Sequence, residues 1–129
     1  MDVAHRITTR EVLLAEPDPL NRHAAELALR RFGCSVDVAT SLADAESHLA
    51  RTAYDAVVVN PVMPDADDEL QAIRRLRATR SGSTIIATTA VALVGEGERC
   101  RRAGADFCLI KPYRPSALRA LLEEHISGA

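Results

Sequence analysis

Five short, mostly apolar runs recur along the chain at residues 12–15, 36–39, 56–59, 84–88 and 107–110, each bounded by polar or turn-forming residues. Runs this short and rich in Val, Ile and Leu predict buried strands of a parallel sheet, where both faces are covered. The segments between them change to helical spacing. Leu20, Ala24, Leu27 and Leu29 predict a helix running to Phe32 and stopping at Gly33, while Ser41 is placed to cap a second helix carrying Leu42, Ala45 and Leu49. Leu70, Ile73 and Leu76 predict a third helix, and Leu118, Leu121, Leu122 and Ile126 a fifth. The fourth, from Gly95 to Ala103, has the weakest pattern: it is polar and opens on two glycines, Gly95 and Gly97, although Gly104 is a sensible stop.

Strand followed by helix, five times over with short connections, predicts an α/β fold with a doubly wound parallel sheet. A chain of 129 residues suits one such domain, read here as residues 11–127 after an N-terminal extension at 1–10. Aromatic residues make up only 3% of the chain, so the core must be aliphatic. In sheets of this kind, ligands and reactions sit outside the carboxyl ends of the strands, where the strand order reverses.

The remaining composition narrows the partners. A formal charge of −2 gives no broad attraction to nucleic acid or an anionic membrane. Cys34, Cys100 and Cys108 show no paired spacing, and His5, His23, His48 and His125 have no ligand spacing around them. Packed thiols in a reducing cytoplasm and solvated imidazoles are the expectation. No signal-peptide core or membrane-length apolar run is present in the sequence.

Four strand ends carry the chemistry: LLAEPDPLNR after the first, VVVNPVMP after the third, IIATTA after the fourth and CLIKPY after the fifth. Together with the tail motif CRRAGADFCLIKPY, they resemble the receiver domain of two-component response regulators, and the resemblance runs from Glu11 to Ile126. It implies five strands in the order 2-1-3-4-5 with five helices. It also implies a site in which an acidic pair and an aspartate hold Mg²⁺, the aspartate accepts a phosphoryl group, and a Thr or Ser and a Lys contact the phosphoryl oxygens. A Lys-Pro bond in the cis form is commonly part of that pattern.

This sequence departs from the family where the chemistry is done. Asn60 stands at the phospho-acceptor position, and a neutral amide has no carboxylate nucleophilicity and gives less charge to a metal. Of the acidic pair, Glu16 fills the first place and Pro17 the second; Asp18 follows one residue later. Thr89 and Lys111 remain, read either as a vestigial anion-contact pair or as a structural pair with Lys111 bonded to Asn60 or Glu16. The aromatic switch position holds Cys108, with Phe107 expected on the other face of the sheet. Asp65, Asp67, Asp68 and Glu69 form an acidic run that is read as helix-dipole charge at the start of the third helix rather than a calcium loop. Asp68 also stands where the family usually has glycine, so the turn there is expected to differ.

These departures predict a pseudo-receiver: not an enzyme, binding Mg²⁺ weakly or not at all, and docking a histidine kinase, a phosphotransfer protein or another regulator. The alternative is a phosphorylation switch that uses a displaced acceptor such as Asp18 or Asp65. Arg99, Arg102, Asp106, Arg114, Arg119 and Glu123 mark a possible interaction face of helix four, strand five and helix five, which would suit a homodimer.

Overall fold

The computed structural model describes residues 10–90 and 95–125. Five parallel strands, β1 (Glu11–Ala15), β2 (Ser35–Ala39), β3 (Ala56–Val59), β4 (Ile85–Thr89) and β5 (Phe107–Ile110), form one sheet in the order β2-β1-β3-β4-β5. The helices between and after them are α1 (Pro19–Arg31), α2 (Leu42–Arg51), α3 (Glu69–Thr79), α4 (Glu96–Ala103) and α5 (Pro115–His125). The expected fold class and strand order are both present. The fourth strand is shifted one residue later than its apolar pattern suggested, which brings Thr89 into it beside Thr88, both buried.

Alternation along each strand divides the core into two layers. Leu13, Ala15, Val57, Val59 and Ile85 face α2, α3 and α4, whereas Val12, Leu14, Val58 and Ile86 face α1 and α5. β3 is central and all four of its residues are at most 1% exposed. Phe107 and Cys108 diverge as expected: Phe107 packs in the α1/α5 layer with its ring 4.6 Å from that of His125, and Cys108 packs against the opposite layer. Not every imidazole is solvated, however, because His48 is half-buried with its Nδ1 3.4 Å from the Tyr54 hydroxyl.

The α1 stripe needs correction. Leu20 is 79% exposed and Leu27 44%, while Ala25, Leu29 and Phe32 turn toward the sheet. These three are spaced i, i+4, i+7, a tighter match to one helical face than the stripe read from sequence. Ile126 lies outside the described residues.

Helix ends follow local chemistry. Ser41 accepts from the Asp44 amide at the start of α2, as predicted. α1 closes through Gly33, whose φ is +89°: Cys34 N–H bonds to the Leu29 carbonyl and Gly33 N–H to that of Arg30. The same pair of bonds, Ala105 to Cys100 and Gly104 to Arg101, ends α4. Among the described residues of the polar fourth helix, Cys100 and Ala103 are the buried ones.

Candidate functional site

β1 and β3 lie side by side where the strand order reverses, and the Asn60 amide bonds to the Ala15 carbonyl across them. That register sets Glu16 and Asn60 together at the carboxyl edge of the sheet. Lys111 arrives from β5, its backbone N–H held by the Thr89 carbonyl and its bond to Pro112 cis.

The three side chains make a closed knot centred on Glu16, which is 4% exposed. Lys111 Nζ donates to Glu16 Oε1 at 2.9 Å, and Asn60 Nδ2 donates to Oε2 at 2.9 Å. The Asp18 backbone N–H reaches the same Oε2 at 3.1 Å. Asn60 Oδ1 accepts from the Val62 N–H at 3.1 Å, so both ends of the amide are committed. Of the two side-chain partners the sequence offered for Lys111, Asn60 and Glu16, the bond is made to Glu16. One carboxylate and one ammonium cancel within the knot, and Asn60 adds no charge.

Neither displaced carboxylate is idle. Asp18 is the N-cap of α1, its Oδ2 accepting from the Asn21 N–H at 2.8 Å. Asp65 accepts from the N–H groups of Leu42 (2.8 Å) and Ala43 (2.9 Å). Those bonds, Ala43's first and then Leu42's, hold its carboxyl below the ordinary aspartate value of 3.8. Asp65 therefore serves α2, correcting the assignment of the whole acidic run to the third helix. Asp68 and Glu69 do belong to α3: Asp68 caps it through the Gln71 N–H, with φ −156°, so that position has no need of glycine.

The donor set fits magnesium poorly. Mg²⁺ takes a tight octahedron of hard oxygens, whereas here Pro17 has no side-chain ligand, Asn60 turns its N–H to Glu16, and Glu16 already receives three hydrogen bonds. The amide is also no nucleophile, since its nitrogen lone pair is delocalised.

The charged face separates into parts. Asp106 is exposed, and its Oδ2 accepts from the Ile85 N–H at 2.8 Å and pairs with Arg77 Nη2 at 2.7 Å. Arg119 sits over the Phe32 ring at 5.6 Å and pairs with Glu123 at 2.7 Å. Arg102 pairs with Glu98 one helical turn earlier, and Arg99, Arg102 and Arg114 are exposed.

Two arginines were not singled out from the sequence. Arg22 Nη1 donates to the Glu16 and Pro17 carbonyls, each at 3.1 Å, fixing the loop beneath the knot. Arg77 bonds to the carbonyls of Gly104, Ser81 and Ser83 as well as to Asp106. The AGAD motif supplied the only signal for Arg77: Gly104 has φ +129°, and a Cβ there would lie 3.0 Å from Arg77 Cβ.

A profile of the response regulator receiver domain matches residues 12–123. Among solved structures, the receiver domain of the Pseudomonas aeruginosa sensor histidine kinase PA1611, with a magnesium ion coordinated in its active site cleft, is 34% identical, with a TM-score of 0.79 over 89% of this chain and 95% of that one. A Clostridium difficile two-component response regulator, 21% identical over 89% of this chain and 93% of its own, has a TM-score of 0.81 and shows the shared fold. The sensor histidine kinase RcsC of Salmonella typhi is 31% identical over 86% of this chain, and the sensor protein EvgS of Escherichia coli O157:H7 30% identical over 88%. The chain spans only 12% and 9% of the length of those two relatives.

Proposed function

Because the chain belongs to the response regulator receiver domain family, we propose that it is a receiver that has given up phosphoryl transfer and acts by docking a protein partner in a two-component pathway. The partner class is a histidine kinase, a phosphotransfer protein or another regulator. The domain carries out no chemical step of its own and binds Mg²⁺ weakly or not at all.

The observation that carries this reading is the hydrogen bond from Asn60 Nδ2 to Glu16 Oε2. In a working site the residue at this position must be an anion and a nucleophile; here it is a donor satisfying the neighbouring carboxylate. With Lys111 on the other oxygen, the site is internally compensated without metal or phosphate. The displaced-acceptor alternative is disfavoured because Asp18 and Asp65 each cap a helix N-terminus. Both carboxylates are already engaged as acceptors of backbone N–H groups at helix starts.

The test is incubation with Mg²⁺ and acetyl phosphate, and separately with beryllofluoride, read by intact mass and by the amide resonance of Thr89. Unmodified mass and an unmoved resonance are expected. A stoichiometric phosphoprotein would overturn the reading, and the modified residue would identify the acceptor.

A further inference from the structure

A groove of about 450 Å³ opens beside the polar knot, between α1 and α5. Ala24, Ala25 and Ala28 form one wall, and Leu118 and Tyr113 stand on the other. Three alanines on one stretch of α1 leave space that larger side chains would fill. The volume falls within the range of small-molecule sites, which are mainly apolar with a few convergent polar groups.

Those polar groups lie where Glu16 and Lys111 line the groove. Glu16 already accepts from Lys111 Nζ, Asn60 Nδ2 and the Asp18 N–H, so it has little left for an incoming donor. Lys111 is in the opposite condition. Its ammonium carries three donors, and Glu16 is its one side-chain partner among the described residues. The end of the groove therefore seeks an acceptor. Lys111 and Arg22 balance Glu16 and Asp18 in charge, so an entering anion meets no net repulsion; an aspartate in place of Asn60 would supply one.

We propose that this groove binds a small organic acid, its aromatic or branched aliphatic body on the alanine wall and its carboxylate accepting a hydrogen bond from Lys111. The inference goes beyond the partner-docking function and does not rest on it, since it concerns a ligand rather than phosphoryl chemistry.

4-Phenylbutyrate is a suitable probe, with 4-phenylbutanamide as its uncharged counterpart, titrated into isotope-labelled protein and followed by amide chemical shifts. Saturable shifts at Ala24, Ala28 and Leu118 are expected, with the amide binding at least about tenfold more weakly for want of the charge-assisted hydrogen bond. Ala28→Leu, which fills the groove without touching the knot, should weaken the acid to a similar degree while keeping a dispersed spectrum. Lys111→Met should abolish the preference for acid over amide. The proposal is overturned if the acid gives no saturable shift at millimolar concentration or if Ala28→Leu binds it unchanged. Equal binding of acid and amide would also overturn it, and would make the groove an apolar docking surface for a protein side chain instead.

Discussion

Asn60 is held by two opposed hydrogen bonds, one donated to Glu16 and one accepted from the Val62 amide. Replacing it with aspartate keeps the second and turns the first into a carboxylate facing a carboxylate. Asn60→Asp is therefore expected to lower stability by about 1–3 kcal/mol in metal-free buffer, measured by urea unfolding. Mg²⁺ should restore little of this in the single variant and far more in Asn60→Asp with Pro17→Asp, where a second lost carboxylate returns. Equal Mg²⁺ responses in the two variants would show that Pro17 carries less weight than argued. Lys111→Met removes the only formal cation bonded to the Glu16 carboxylate among the described residues, and the expected loss is about 3 kcal/mol, as for other ion pairs broken on one side in a buried site. The identities of Asn60, Pro17 and Lys111 were legible in the sequence through the family pattern. Their mutual bonds were not, because the choice between Asn60 and Glu16 as partner of Lys111 depends on distances that residue types leave open.

The start of α2 borrows a side chain from a distance. Asp65, 23 residues downstream of Leu42, holds the first turn of α2 together with the local cap Ser41. Asp65→Asn is expected to cost about 1 kcal/mol at neutral pH, a modest figure because the carboxylate is exposed and solvent screens it. Its folded-state pKa is depressed, so the contribution is complete above the ordinary aspartate value of 3.8 and is lost as pH falls through the lower folded value. The stability difference between the wild type and Asp65→Asn should narrow accordingly in acid; a difference independent of pH below 4 would refute the carboxylate's role. At the other edge of the sheet, Arg77 ties α3 to the turns before β4 and β5. Arg77→Ala and Asp106→Ala should each destabilise by about 2 kcal/mol or more, and a double-mutant cycle should show clear coupling between them. AGAD, residues 103–106, is part of the tail motif CRRAGADFCLIKPY that helped carry the resemblance. The structure gives that motif a packing role at the amino ends of the strands, opposite the Glu16–Asn60–Lys111 knot.

Across the whole molecule, protection should follow the order of the sheet. β3 is central and wholly buried, while β5 is half-buried and has one neighbouring strand. Amides of Val57, Val58 and Val59 are expected to exchange only through global unfolding, and those of the β5 edge at least about tenfold faster, measured by native-state hydrogen exchange. Uniform rates would mean that the sheet opens as one unit. What the sequence by itself determined is the alternation of strand and helix, the aliphatic core and the residue types at the strand ends, because these depend on local period and on chemistry written into each side chain. The tertiary structure alone decided which face of α1 is buried, that Asp65 belongs to α2, that Asp106 is occupied by Arg77, and that Glu16 gathers both Asn60 and Lys111. Each of these depends on groups far apart in the chain meeting in apolar contact or at hydrogen-bond distance, and only the packed sheet fixes such a meeting.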